Sequence, residues 1–278
     1  MASELDISKH YSRGELLDRL RERLREDDVD PDRPSIDALA PYDHFHGRGL
    51  EATEELAAQL GLYAGSHVLD VGCGIGGPAR FIAHRYGCRV TGVDLTAEFC
   101  DVARLLSSAL GLEGLVSFEQ SNALSMPFAD CSFDAAYSMN VSMNIEDKQA
   151  LYREIYRVAR PGARLILSEL AQGPNLDLIF PTPWARTASS SFLATPSETL
   201  ESLEASGFAQ VEMRETKEQA LAYNARARAM IDRGEKPPQR AVHLIHGALA
   251  AEATANTTRG LVDGCVVPIE VSCCKPSG

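Results

Sequence analysis

Several features that announce protein classes are missing from this sequence. Its 278 residues carry 27 Lys+Arg against 39 Asp+Glu, a formal net charge of −12. Phosphate backbones select a basic face, so a general nucleic-acid binder is excluded. No apolar run approaches the roughly 20 residues that a membrane helix needs. The seven cysteines (Cys73, Cys88, Cys100, Cys131, Cys265, Cys273 and Cys274) are odd in number and contain no C-x-x-C pair. Neither a zinc site nor a disulfide framework is signalled, and no metal is expected. The adjacent Cys273 and Cys274 would point to opposite faces of a strand and bridge only with strain. Met1 to His10 lacks the basic-then-apolar pattern of a secretory leader. These absences together predict a reducing, cytoplasmic setting with thiols buried as small hydrophobes. Internal repeats and low-complexity tracts are lacking too.

What is present is ordinary globular material, 45% hydrophobic and 24% charged, long enough for one large domain with elaborations. Leu16, Leu17, Leu20 and Leu24 fall on one stripe of a helix over 14–25. The charged stretch 27–34, broken by Pro31 and Pro34, reads as a linker, and 50–60 reads as a second helix stopped at Gly61. Beyond it strands alternate with helices. Strands are expected at 67–71, 89–94, 115–120, 133–138, 164–170, 209–214 and 266–274; helices at 78–86, 97–110, 147–158 and 197–206. Such alternation makes a parallel sheet of an α/β domain. The pattern lapses from Ala171 to Thr195, and Lys217 to Thr258 is mostly helical.

Gly72, Gly74 and Gly77 satisfy G-x-G-x-x-G between the first strand and its helix. Glycines there permit a tight turn and close approach of a ligand to the backbone, while the helix N-terminus offers unpaired N–H groups. Asp94 ends the second strand, where a carboxylate can accept both hydroxyls of a ribose; Thr96 is the expected cap of the helix that follows. Two chemistries use this architecture: a dinucleotide-dependent oxidoreductase, and methyl transfer from S-adenosylmethionine. Asp70, two residues before the first glycine, favours the second. A diphosphate has no use for a carboxylate so near it, whereas an ammonium and a sulfonium do.

The stretch Val68-Leu-Asp-Val-Gly-Cys-Gly-Ile-Gly-Gly77 resembles the first motif of class I S-adenosylmethionine-dependent methyltransferases. Met126-Pro-Phe-Ala-Asp-Cys-Ser-Phe-Asp134, Arg160-Pro-Gly162 and Ser206-Gly-Phe208 are similar to that family's landmarks before its fourth, fifth and sixth strands. The flanks, with Tyr42-Asp-His-Phe-His-Gly-Arg-Gly49, resemble a bacterial small-molecule subgroup of the methyltransferase type 11 kind. The resemblance implies a Rossmann-like, doubly wound seven-stranded sheet with its last strand antiparallel, a helical N-terminal cap over 1–63, a cofactor-binding core over 64–170, and an acceptor-side insertion, helical lid and final strands over 171–278. It implies that Asp70, Gly72, Gly74 and Gly76 line the methionine and ribose of S-adenosylmethionine. Asp94 and Leu95 would hold and cover the ribose, Asn122 and Ala123 would meet the adenine, and Asn140 would lie near the sulfonium. Tyr11 resembles a tyrosine that closes over the active site in related enzymes. The adenine position, usually aspartate, is Asn122, whose amide oxygen still accepts from an exocyclic amine.

Sugar and phenol methyltransferases of this architecture often carry a histidine soon after the fourth strand; here the stretch is Ser142-Met143-Asn144. Asn144 orients a substrate but removes no proton. His44 and His46, two apart in a Gly-rich loop, are the remaining candidates for a site role, while His67, His84, His243 and His246 read as structural. Phe180, Trp184 and Phe192 are candidates for an acceptor wall, and Arg13, Arg48 and Arg186 for contact with an acidic group. The expectation is methyl transfer to a small molecule at nitrogen, sulfur or activated carbon rather than aliphatic oxygen, by a monomer or homodimer with no nucleic-acid or membrane partner. A non-catalytic S-adenosylmethionine-binding module is the other possibility within this fold.

Overall fold

In the computed structural model residues 10–11 and 15–277 are described; the reading of Met1 to His10 as lacking a leader pattern, save for His10, and the candidate Arg13 lie outside them. The centre is a seven-stranded sheet of order β3-β2-β1-β4-β5-β7-β6. Its strands are β1 (His67–Val71), β2 (Arg89–Asp94), β3 (Val116–Gln120), β4 (Phe133–Met139), β5 (Ala159–Gln172), β6 (Ala209–Glu215) and β7 (Val266–Cys274). The first five pair in parallel, and β7 lies antiparallel between β5 and β6. Strand order reverses between β1 and β4, which opens a crevice at their carboxyl ends.

Alternation along β1 explains how both faces are covered. Val68 points into a core built with α3 (Gly49–Gln59), α4 (Gly77–Tyr86) and α5 (Ala97–Ala109). Leu69 and Val71 point into a second core with α6 (Lys148–Val158) and α7 (Pro196–Ala205). A third cluster joins Leu16, Leu20 and Leu24 of α1 (Leu16–Glu26) to Phe99 and Leu106 of α5 and to Leu244 and Ile245 of α9 (Ala241–His246). Cap and lid therefore share one apolar seam. The lid is three helices, α8 (Lys217–Asp232), α9 and α10 (Ala250–Asp263). Among the described residues no helix is long and apolar enough to cross a membrane.

Two elements differ from the sequence expectation. A short helix, α2 (Ile36–Asp43), follows the linker; Ser35 Oγ accepts from Ala38 N at 3.1 Å as its cap, and Pro41 sits in its last turn. β5 begins five residues early, because the Arg160-Pro-Gly162 turn is absorbed as a register shift opposite Phe133 and Ala135, with Gly162 at φ +82°.

The C-terminus of α2 is locked to the start of α4. A Cβ at Gly77 would stand 2.3 Å from the Asp43 carbonyl oxygen. Arg80 Nη2 donates to Asp43 Oδ2 at 2.8 Å, and His44 Nδ1 lies 2.7 Å from Asp43 Oδ1, all three side chains being buried. Burial pushes the Asp43 carboxyl up, but the contacts with His44 and Arg80 outweigh it and hold the group below the usual carboxylate range. Arg80→Leu should therefore cost about 3–5 kcal/mol in urea unfolding, because it strands a buried carboxylate. The lowered carboxyl contributes stability above its ordinary pKa and loses it as pH falls through the folded value. The variant lacks that contribution, so its stability should fall less steeply than the wild type's as pH drops below the ordinary carboxylate range.

Candidate active site

A cavity of about 540 Å³ lies at the carboxyl ends of the parallel strands, under the lid. The turn after β1 forms part of its floor. Gly72 (φ +74°) donates its N–H to Val93 O at 2.8 Å, and a Cβ there would stand 2.2 Å from Val141 Cγ2. Only glycine meets both demands, the left-handed backbone and the close approach of the turn after β4. Of the sequence candidates, Tyr11, His46, Gly72, Gly74, Asp94, Leu95, Asn122, Ala123, Asn140 and Asn144 all line this one cavity.

Three of the cofactor-binding and catalytic candidates do not. His44 is wholly buried, with its Nδ1 on Asp43, and belongs to the lock between α2 and α4. Gly76 is the left-handed N-cap of α4, packed so that a Cβ would stand 2.5 Å from Phe118 Cζ. Asp70 is buried on β1 behind the turn, in register with Tyr137. Its Oδ2 has no hydrogen-bond partner among the described residues, and burial pushes its carboxyl up to about 7.

Asp94 ties two loops together: Oδ2 accepts from Gly74 N and Oδ1 from Thr96 N, each at 2.9 Å. Thr96 stands at the N-cap of α5 without a side-chain cap bond, so the expectation that its side chain does the capping is corrected. Burial pushes the Asp94 carboxyl up, against those N–H donors. Each oxygen keeps capacity for a further donor. Asn122 Oδ1 accepts from Leu124 N at 2.8 Å, an Asx turn that aims the segment after β3.

His46 has both ring nitrogens engaged. Nδ1 lies 3.2 Å from Gly47 O, a pure acceptor, so Nδ1 carries the hydrogen. Nε2 then accepts from Thr53 Oγ1 at 3.1 Å. Burial pushes this imidazole down to about 3, so it is neutral and a poor base. The Tyr11 hydroxyl donates to Asn144 Oδ1 at 3.2 Å, and burial pushes its pKa well up. His246, read from the sequence as structural, lines the cavity beside Tyr11, their ring centroids 6.1 Å apart.

The turn after β4 carries Asn140 to Asn144, and two residues not singled out in the sequence hold it. Glu169 accepts from Val141 N (2.9 Å), Ser142 N (3.1 Å) and Ser138 Oγ (2.8 Å). Lys148 Nζ donates to Ser142 O (2.7 Å), to Ile145 O and to Phe192 O (2.5 Å). Burial pushes that ammonium down to about 8, against the neighbouring Glu169, Glu198 and Glu146. The visible signal for Glu169 is a carboxylate inside an otherwise apolar strand. On the acceptor side Trp184 and Phe192 line the cavity, whereas Phe180 packs behind them with Met143 and Arg186 stays outside the wall.

Residues 69–167 match the family model described as a methyltransferase domain. The chain is 36% identical over 171 residues to methyltransferase GfsG of Streptomyces halstedii, covering 59% of each chain. It is 38% identical over 133 residues to O-methyltransferase resE of Aspergillus sclerotiorum, covering 48% of this chain and 49% of that one. The chain thus spans about half the length of the curated relatives it matches. Its fold resembles the geranyl diphosphate C-methyltransferase of Streptomyces coelicolor A3(2), solved with Mg2+, geranyl-S-thiolodiphosphate and S-adenosyl-L-homocysteine. That likeness has a TM-score of 0.73 at 17% identity, over 98% of this chain and 97% of that one.

Lys148→Met should take the ammonium donor from three carbonyls of the two loops, of which Ser142 O keeps Ile145 N. A loss of about 2–3 kcal/mol is expected in urea unfolding, with Lys148→Arg recovering part of it.

Proposed function

We propose that this chain, which carries a class I S-adenosylmethionine-dependent methyltransferase domain, moves a methyl group from S-adenosylmethionine to a small-molecule acceptor held under its helical lid. The observation that supports it most is Asp94: a carboxylate fixed by two backbone donors at the end of β2, beside the glycine turn and in one cavity with Asn122 and the lid. The residues present fit the cofactor. Asp94 and Leu95 hold and cover the ribose, and Asn122 and Ala123 meet the adenine. Gly72 and Gly74 let the methionine part lie against the backbone. Gly76 shapes the helix start behind them, and the buried Asp70 carboxyl, whose Oδ2 has no partner among the described residues, would take its charged form more readily beside a cation. Asn140, at φ +58° with its Oδ1 on Gly47 N, would lie near the sulfonium.

When bound, the cofactor supplies an electrophilic methyl group with a ready leaving group. The protein's part is proximity and orientation. Tyr11 and Asn144, joined by their hydrogen bond, orient the acceptor, and cap and lid exclude water from it. His46 has no free nitrogen at neutral pH, Asn144 takes no proton, and the Tyr11 phenol stays protonated. That favours nitrogen, sulfur or activated carbon as the acceptor atom over an aliphatic hydroxyl. One relative is named an O-methyltransferase, so an oxygen-methylated product is the outcome that would overturn this preference. Residues 1–63, 64–170 and 171–278 divide the work as cap, cofactor core and acceptor side.

S-adenosylhomocysteine should raise the melting temperature by mass action, and NAD(H) should not. Asp94→Ala should weaken S-adenosylhomocysteine binding in calorimetry by at least about 1 kcal/mol, since ribose hydroxyls lose their acceptor. Stabilisation by NAD(H) alone would overturn the reading. Cofactor binding with no labelled methyl entering any component of cell extract would make the chain a binding module instead.

A further inference from the structure

We infer that the acceptor this cavity takes is a hydroxyl-bearing amphiphile without negative charge and not a phosphate or diphosphate ester; the inference rests on the methyl-transfer reading and adds its substrate class. Charge comes first. Among the described residues lining the cavity, Arg48 alone carries a permanent positive charge. Its Nη1 and Nη2 donate to Glu55 Oε1 and Oε2 at 3.0 and 2.8 Å. An incoming anion would have to displace a carboxylate already seated on both prongs of that fork. The same wall holds the carboxylates of Asp94 and Glu169, with Glu146 and Asp147 exposed beside them, so the field inside opposes a negative ligand. Lys148, the nearby ammonium, is committed to three carbonyls.

The lid supplies a different kind of recognition. Thr254, Thr257 and Thr258 stand three and four residues apart on α10, which puts them on one helix face toward the cavity. α8 adds Asn224. The Thr257 hydroxyl donates to Ala253 O at 2.9 Å and keeps its lone pairs. The Thr258 oxygen accepts from Asn224 Nδ2 at 3.5 Å and keeps its hydrogen. The wall can thus both accept from and donate to a hydroxyl or carbonyl without adding charge. Trp184 and Phe192, also in the lining, give the ligand an apolar surface to rest on. A molecule with an apolar body and a hydroxylated edge satisfies both.

Trp184 is the chain's one tryptophan, so its emission reports occupancy of this end of the cavity. The full chain is loaded with S-adenosylhomocysteine, whose binding is measured first by calorimetry. Failure at that step overturns the methyl-transfer reading itself, and the acceptor titrations are read in either case. n-Hexyl-β-D-glucoside, a neutral hydroxylated amphiphile, should change Trp184 emission saturably. Inorganic pyrophosphate and phosphoethanolamine should not. The double variant Thr257→Val/Thr258→Val, matched in size, should weaken glucoside binding at least about fivefold while S-adenosylhomocysteine affinity holds, which also reports that the variant is folded. Saturable binding of either anion more tightly than the glucoside overturns the inference. So does a glucoside that fails to bind, or one that binds the double variant as well as the wild type.

Discussion

The five residues after β4 are held from two sides by opposite charges, and most of the cavity depends on that grip. Glu169 takes the backbone donors of Val141 and Ser142; Lys148 takes the acceptors of Ser142 and Ile145. A bare turn at this place would bury backbone groups without partners. Charge-assisted bonds satisfy them and fix the turn's position. Its neighbours then follow. Val141 rests on Gly72, Asn140 accepts from Gly47, and Asn144 accepts from Tyr11. Met143 O accepts from Phe192 N, while Phe192 O is the third acceptor of Lys148. Floor, cap and acceptor wall are therefore registered to one another through a single short segment.

A second set of contacts joins cap to lid. Asp27 meets Tyr42, Lys236 and Arg240, and the Arg240 guanidinium lies over the Tyr42 ring, 4.5 Å from its centroid. Burial pushes the Asp27 carboxyl up, but these partners outweigh it and hold the group below its ordinary range. The Gln239 amide donates to His44 O and His46 O, at 2.5 and 2.6 Å. The loop that carries His46 is thus tied to the lid by its carbonyls and to the core through Asp43 and Arg80. Movement of the lid would have to loosen this loop as well as the apolar seam around Leu244 and Ile245.

The sheet and much of the cavity lining were legible because both are written in local chemistry. Glycines that need φ above zero, apolar strands of period two and an acid at the end of β2 are short-range signals. That the last strand is antiparallel came from the family resemblance, since no local pattern encodes it, and its place between β5 and β6 only from the structure. What was missed depends on distant partners. His44 has the loop position of a site residue, but its Nδ1 is held by Asp43, which is itself paired with Arg80. His46 kept its place in the wall, but Gly47 and Thr53 occupy the nitrogens a base would need. Lys148 and Glu169 matter only through the turn after β4, which they grip from the start of α6 and from the neighbouring β5. α2 was missed because its eight residues include Pro41 and little amphipathic pattern.

The acidity of the chain acquires a local meaning at the cavity. Asp70, Asp94 and Glu169 are all pushed above the ordinary carboxylate range by burial. Carboxyls raised in this way charge at a cost, which the folded protein bears at neutral pH. Glu169 is compensated by three donors and Asp94 by two, whereas Asp70 Oδ2 has none among the described residues. A ligand bearing positive charge at the glycine turn lowers that cost, because opposite charge favours the ionised form. A ligand bearing a diphosphate there would raise it. The single strand residue that first separated methyl transfer from dinucleotide chemistry is thus the carboxyl with the most to gain from a cation.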